Sequence, residues 1–327
     1  MTGKPVLSLS LCMRIKTLRP RKLHPVPLIA LLACAVCLHA APAPKPVPVL
    51  LDTDIGSDID DAFAVALILH SPELDLRAVT TVSGDTEARA RLAAKMLWVD
   101  GQRNIPVAAG VPGKKLDIPQ APWADGFTSP SLLKEPAVEL MKSTIDRAPG
   151  KIVLMAIGPL TNVAALLRQY PGEKKKIREI VLMGGSIARG YYPGSGPTPE
   201  YNIAADTPAS QVVFASGVPI LMAPLDVTAR LQLDEAHRQI IFAKNTPLTD
   251  ALQALYKLWG QPTPTLHDPM AVALFLDPRL CTTQHLAVAV DDRGMTRVED
   301  GKPANARVAV ETDPARVIDF YVHRVAP

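Results

Sequence analysis

Cysteine is scarce in this chain and almost confined to one end. Of the four, Cys12, Cys34 and Cys37 precede residue 42, which leaves Cys281 alone beyond it. A disulfide framework for the main body is thereby excluded. A comfortably membrane-spanning run is also missing: the apolar stretch Val26–Ala40 has 15 residues, against about 20 for a spanning helix. No internal repeat or long linker divides the residues after 41. Positive charge is lacking once the ends are separated. The formal +3 comes from six basic groups, Lys4, Arg14, Lys16, Arg19, Arg21 and Lys22, in an acid-free first 41 residues; beyond them 29 basic residues face 32 acidic ones. That balance gives no reason to expect a nucleic-acid partner.

What stands at the beginning is a leader. A basic segment, the run VPLIALLACAVCLHA, and small residues at Ala40 and Ala41 follow the pattern of a secretory signal peptide. We therefore expect a signal peptide over 1–41, with Met13 as an alternative start, a Pro-rich spacer over 42–47, and one domain over 48–327. The expected location is secreted or periplasmic, with no stable membrane insertion after cleavage. Retention as an uncleaved anchor is the alternative, and Leu31-Leu32-Ala33-Cys34 loosely resembles a lipoprotein signal.

At 48% hydrophobic and 20% charged residues, the chain can bury a substantial core. Apolar runs alternate with helical patterns. Leu74–Val82, Ile105–Ala109, Ile152–Ile157, Ile177–Met183 and Pro219–Ala223 read as strands. Glu87–Asp100, Ala137–Asp146 and Val163–Gln169 read as helices, and Gln211–Ser216 as the end of one. The rhythm predicts an α/β fold, a mostly parallel Rossmann-like central sheet flanked by helices. Leu116–Pro130 reads as a surface excursion and Arg189–Pro199 as a long Gly/Pro loop, a kind of segment that is often functional in compact domains.

The densest chemistry lies in PVLLDTDIGSDIDDAFAVALIL, Pro48 to Leu69. An apolar run ends in five carboxylates within ten positions, Asp52, Asp54, Asp58, Asp60 and Asp61, and a second apolar run comes at once after them. Strand, acidic loop and helix in that order place the carboxylates at the carboxyl end of a sheet strand, where open α/β sheets bind ligands. Crowded like charges persist there only if some protonate or a cation joins them. Oxygen donors without thiols favour Ca²⁺ or Mg²⁺. An EF-hand loop counted from Asp52 fails, because Ser57 and Phe63 occupy the positions needing Gly and Glu. A phosphatase of the haloacid-dehalogenase type would use Asp52 as nucleophile, but Gly56 falls where that pattern needs Thr or Val.

Two other constellations stand out. His267-Asp268-Pro269 precedes the apolar segment Met270–Leu276, so Asp268 is a candidate helix cap or metal ligand. Glu200-x-Asn202 reads as a carboxylate and an amide two apart on an extended segment, both on one side and suited to hydroxyl groups.

Together these motifs resemble the nucleoside hydrolases, the inosine/uridine-preferring Ca²⁺-dependent N-ribohydrolases. The Asp-rich loop DTDIGSDIDDA (Asp52–Ala62) is succeeded in order by VSGD (Val82–Asp85), AIGPLTNVA (Ala156–Ala164), VLMGG (Val181–Gly185), PEYN (Pro199–Asn202), PLDVT (Pro224–Thr228) and HDP (His267–Pro269). The resemblance covers essentially residues 47–325 and implies the single-domain nucleoside-hydrolase fold. It implies Ca²⁺ held by Asp54, Asp61, Asp268 and the Ile157 carbonyl, with Asp54 also the general base. It implies ribose contacts from Asp60, Glu200 and Asn202, with Met183 under the sugar and Asp85 near the substrate. His267 is similar to the histidine that protonates the leaving base. Tyr256 and Trp259, shortly before it, are candidates to stack on the base.

Three positions depart from the family pattern. The acidic loop is two residues longer, so Asp58 is additional and is a candidate for the role of Asp60 or Asp61. Asp85 stands where many members have Asn, and Gly194 falls roughly where a sugar-binding Asn is expected. The implied activity is hydrolysis of a small-molecule nucleoside to ribose and free base, in a homodimer or homotetramer. The competing reading is an exported, non-catalytic Ca²⁺-dependent nucleoside- or ribose-binding protein.

Overall fold

The apolar runs become strands. In chain order these are β1 (Val47–Thr53), β2 (Leu74–Thr81), β3 (Val107–Ala109), β4 (Leu132–Leu133), β5 (Ile152–Ala156), β6 (Ile177–Met183), β7 (Ile220–Ala223), β8 (Cys281–Leu286), β9 (Val288–Val290), β10 (Thr296–Val298) and β11 (Ala306–Thr312). The computed structural model describes residues 45–327. The leader expected over 1–41, with its alternative start at Met13 and Cys34, and residues 42–44 of the spacer lie outside the described residues. Val47, expected in the spacer, is instead the first residue of β1, where its N–H donates to the Glu73 carbonyl at 2.8 Å.

Among the described residues, nine strands form one sheet in the order β4-β3-β2-β1-β5-β6-β7-β11-β8. Every pairing is parallel except that of β8 on β11; β9 and β10 form a separate antiparallel pair. The chain builds outward from β1 through β2, β3 and β4, then returns to pair β5 with the other side of β1. Strand order therefore reverses between β1 and β5, and the crevice at their carboxyl ends is the switch point at which such sheets bind ligands.

The helices that accompany these strands are α1 (Asp60–Leu69), α2 (Thr86–Val99), α3 (Ala137–Arg147), α4 (Thr161–Gln169), α5 (Tyr201–Ala204), α6 (Thr207–Phe214), α7 (Leu225–Thr228), α8 (Glu235–Phe242), α9 (Pro247–Trp259), α10 (His267–Leu276) and α11 (Pro314–Val325). Successive residues of one strand feed opposite layers. Val49 and Leu51 join the cluster containing α1, α2 and α10, whereas Leu50 joins the one containing α3, α4 and α6; Val153/Met155 and Leu154 divide the same way. Both faces are covered, so the central strands read as unbroken apolar runs rather than alternating ones.

Two expectations need correction here. Glu200-Tyr201-Asn202 is not extended throughout: Glu200 is the N-cap of α5, and Asn202 lies within that helix. The Leu116–Pro130 excursion is not all surface, because Gln120 is fully buried and pinned to the acidic loop, its N–H donating to the Gly56 carbonyl at 3.3 Å and its Nε2 to the Asp58 carbonyl at 2.6 Å.

Helix α11 closes the layer over α1. The fully buried Tyr321 donates its hydroxyl to the Phe63 carbonyl at 3.0 Å and meets the Phe63 ring edge-on, centroids 6.0 Å apart. Tyr321→Phe keeps the ring and removes one buried hydrogen bond, so denaturant titration should show a loss of about 0.5–1.5 kcal/mol. An unshifted midpoint would show that the hydroxyl contributes nothing to stability.

Candidate metal centre and substrate cleft

The acidic loop leaves the sheet at Asp52, which never reaches solvent. Its Oδ1 accepts from Asn162 Nδ2 at 2.8 Å and Thr80 Oγ1 at 2.7 Å, Oδ2 has no partner, and burial pushes the carboxyl up to about 7. A sealed, tethered carboxyl cannot serve as the nucleophile that the phosphatase reading requires. One residue on, Thr53 accepts from the Ile55 N–H at 3.2 Å and donates to the Asp61 carboxylate. The strand end therefore orients a side chain in the first turn of α1.

Asp60 and Asp61 sit in that first turn, whose cap residue Ile59 offers no side-chain oxygen. Asp268 occupies the first turn of α10, and its N–H donates to Asp60 Oδ2 at 3.3 Å. The N-terminal turns of two neighbouring helices thus lie side by side, each with orphan N–H groups and partial positive charge. Oxygens of Asp60, Asp61 and Asp268 lie within 4.8 Å of one another. Asp268 is not a cap, because Leu266 holds that position and no side chain caps the helix. Asp54 lines the same cleft, and its carboxylate leaves no room at Gly158, where a Cβ would come within 2.9 Å of Asp54 Oδ1.

Burial first, and neighbouring carboxylates second, raise Asp60 and Asp268 far above the ordinary range. Asp61 is raised by burial and by Asp54; burial brings Asp54 to about 6, against the pull of Arg89. No lysine or arginine among the described residues lines the cleft. The donor set is all oxygen, buried and short of positive charge, which fits a hard divalent cation.

Beyond the acidic cluster, Glu200 accepts from the N–H groups of Gly185 (2.9 Å), Asn202 (2.9 Å) and Ile203 (3.1 Å), yet burial still lifts it to about 7. Asn202 Nδ2 donates to the carbonyls of Ile157 (3.1 Å) and Met183 (3.2 Å). Glu200, Asn202, Ile157 and Met183 all line the cleft, a cavity of about 400 Å³, and so do Asp54, Asp60, Asp61, His267 and Asp268. His267 Nδ1 lies 2.8 Å from Thr228 Oγ1, its ring meets Tyr191 edge-on at 6.2 Å, and burial pushes its pKa down to about 4. Trp259 lines the cleft whereas Tyr256 does not; it packs on Phe242 and Trp259 instead.

Asp85 is corrected: it does not line the cleft but stands exposed as the N-cap of α2, accepting from the Ala88 N–H at 2.9 Å. Gly194 likewise falls outside the cleft. The additional Asp58 is exposed at the mouth, so Asp60 and Asp61 keep the buried positions.

Other lining residues escaped the sequence: Leu116 and Asp117 from the excursion, Tyr191 from the Gly/Pro loop, and Ser57. Ser57 Oγ ties the loop to the excursion by donating to the Asp117 carbonyl at 3.1 Å. Arg89 was missed too. It is fully buried, with Nε donating to the Ser83 carbonyl (2.8 Å), one terminal nitrogen to the carbonyls of Asp54 and Ile55 (3.0 Å for Ile55), and the other to Ser57 Oγ (2.9 Å). Its trace in the sequence is an arginine on the buried face of α2, three before Leu92 and seven before Met96.

Residues 49–319 match the sequence profile of the inosine-uridine preferring nucleoside hydrolases. The pyrimidine-specific ribonucleoside hydrolase RihA of Citrobacter koseri is 35% identical over 310 residues, covering 85% of this chain and 98% of its own length. The enzyme of that name from Escherichia coli O9:H4 is 34% identical over 309 residues, with the same coverage of both chains. Among solved structures, a plant nucleoside hydrolase matches with a TM-score of 0.76 at 26% identity, covering 86% of this chain and 99% of its own. A purine-preferring ribonucleoside hydrolase from Gardnerella vaginalis matches with 0.73 at 26% identity, covering 85% and 98%.

The raised carboxyls carry a linkage prediction. A group whose folded pKa lies above its unfolded value stabilises the fold fully below the unfolded pKa and loses that contribution as pH rises through the folded one. For Asp52 and Asp54 the window runs from 3.8 to about 7 and about 6. In chelator, the melting temperature should therefore fall between pH 5 and pH 8, and a saturating divalent cation should flatten that fall. Parallel pH trends with and without metal would refute a metal at this cluster.

Proposed function

On the premise that this chain belongs to the inosine-uridine preferring nucleoside hydrolase family and hydrolyses the N-glycosidic bond of ribonucleosides, we propose that calcium serves its acidic cluster and that pyrimidine ribonucleosides are its preferred substrates. The observation that carries the reading is the meeting of Asp60, Asp61 and Asp268 beside Asp54 in a cleft that no lysine or arginine among the described residues lines. Calcium suits several carboxylate and carbonyl oxygens in irregular geometry, whereas magnesium demands a strict octahedron and retains most of its water. The pyrimidine preference rests on the relatives at 34–35% identity that carry it in their names.

In this reading Asp54, Asp61, Asp268 and the Ile157 carbonyl hold the cation; that carbonyl already accepts from Asn202 and keeps a second lone pair. Bound there, the ion would polarise a water and anchor ribose hydroxyls. Asp54 accepts the proton from the attacking water, a contribution of about a hundred- to ten-thousand-fold. Asp60 and Glu200 accept hydrogen bonds from ribose hydroxyls. Asn202, whose Nδ2 is committed to two carbonyls, offers Oδ1. Cleavage passes through an oxocarbenium-like sugar, and the surrounding carboxylates favour that developing positive charge.

Burial holds the free His267 neutral, with Nδ1 at Thr228, so its other ring nitrogen is left to hydrogen-bond the departing base. To protonate that base the ring must first take up a proton from solvent and act as the imidazolium, returning to the neutral form on transfer. The leader pattern of residues 1–41 supports action outside the cytoplasm. A binding protein without turnover is not favoured, since the RihA enzymes and the plant and Gardnerella proteins are all hydrolases.

Chromatography of the protein incubated with uridine, cytidine, inosine and adenosine, with calcium and with chelator, is the direct test. Free base should appear fastest from uridine or cytidine and stop in chelator; release of purines first would overturn the preference, and release in chelator the metal. His267→Ala should lower turnover by about a hundred- to ten-thousand-fold while calcium affinity by calorimetry stays near that of the parent. Equal losses of both would make His267 a structural support.

A further inference from the structure

We propose that Arg89 is a positioning residue of the metal centre: its guanidinium fixes the backbone on which Asp54 is mounted and joins that backbone to the turn at Ser83. The inference rests on the calcium reading of the acidic cluster. Arg89 is fully buried, makes no ion pair with a carboxylate among the described residues, and spends its donors on the carbonyls of Asp54, Ile55 and Ser83 and on Ser57 Oγ. A buried charge without a close counter-ion is costly unless its donors are all engaged. Here the planar fork meets four acceptors on two separate loops, which a single ammonium cannot do.

The two loops are themselves conformationally committed. Ser83 holds φ 71°, unusual for a residue with a side chain, and Gly56 holds φ 115° where a Cβ would lie 2.6 Å from Leu92 and 2.7 Å from Ile118. Fixing the peptide planes after Asp54 and Ile55 fixes the direction in which the Asp54 side chain departs. Through Ser57, whose hydroxyl donates onward to the Asp117 carbonyl, the same guanidinium also ties the metal loop to the rim of the cleft. Arg89 touches neither substrate nor cation in this arrangement, since it does not line the cleft.

The test compares Arg89→Lys with Arg238→Lys. Arg238 is another buried arginine, in α8, that donates to a backbone carbonyl at Leu233 and does not line the cleft. Calcium affinity is read by calorimetry, turnover with uridine at saturating calcium, and folding by circular dichroism. Arg89→Lys should fold, bind calcium about ten- to a hundred-fold more weakly, and lose turnover with little change in KM. Arg238→Lys should change neither, even where its melting temperature falls as far.

Parental calcium affinity in Arg89→Lys would overturn the proposal, and so would matching losses in Arg238→Lys. Should Arg89→Lys not fold, Arg89→Ala with and without added guanidinium ion decides. Calcium affinity restored by guanidinium, and not by potassium at equal ionic strength, supports the role; no restoration, or failure to fold in either condition, refutes it. A parent that binds calcium but releases no base would dispose of the hydrolase reading alone and leave the calcium comparison intact.

Discussion

Mutual repulsion among buried carboxylates is the constraint on which the rest of this molecule depends. At an effective dielectric near 20, two like charges about 4.8 Å apart repel by roughly 3–4 kcal/mol, and Asp60, Asp61 and Asp268 present three such pairs. A helix N-terminus returns about 0.3–1 kcal/mol per carboxylate, rising to about 2 when partly buried. Two of them cannot balance the cluster, and the nearby cation, Arg89, lowers Asp54 and Asp61 yet leaves both raised. The remaining routes are protonation or a divalent ion, so occupancy of the centre and protonation of its ligands are opposite states of one equilibrium.

The sheet makes that confrontation possible. Parallel strands on either side of the reversal between β1 and β5 deliver their carboxyl ends to one crevice. From β1 come Asp54 and the α1 carboxylates, and past the end of β5 comes the Ile157 carbonyl. After β6, the chain returns Glu200 and Asn202 to the same place, with Glu200 tied to the Gly185 N–H just beyond that strand. The layers beneath are apolar on both faces, and this rigidity allows the polar loops above to be specified by a few hydrogen bonds.

Much of this was legible in the sequence, for a physical reason. A buried parallel strand leaves an apolar run of fixed length, and a carboxylate cluster at its end has no bland explanation, so β1, β5, β6 and the acidic loop stood out. The strands after residue 276 went unread, because β8, Cys281–Leu286, is an exposed antiparallel edge with polar residues and no such run. Glu200 misled because a helix N-cap is itself extended, with ψ 147°; the conformation of one residue does not determine that of its successors. Asp85 misled through its place in a motif: a carboxylate beginning a helix satisfies orphan N–H groups as readily as it meets a ligand. Arg89 was hidden among helix positions judged by their apolar stripe, since a lone basic residue usually signals solvent. Tyr191, Leu116 and Asp117 reach the cleft from loops whose paths no periodicity encodes.

The contact between the Asp268 N–H and the Asp60 carboxylate spans 208 positions of the chain. The chain must be synthesised as far as α10 before the two halves of the centre can meet, so no fragment ending before α10 holds both Asp60 and Asp268. A cation held by carboxylates of both segments would act as a clasp between distant stretches of the polypeptide. Removal of a cation from the cluster would leave the apolar packing of α10 beside α1 in place and free only the carboxylates at their N-terminal ends.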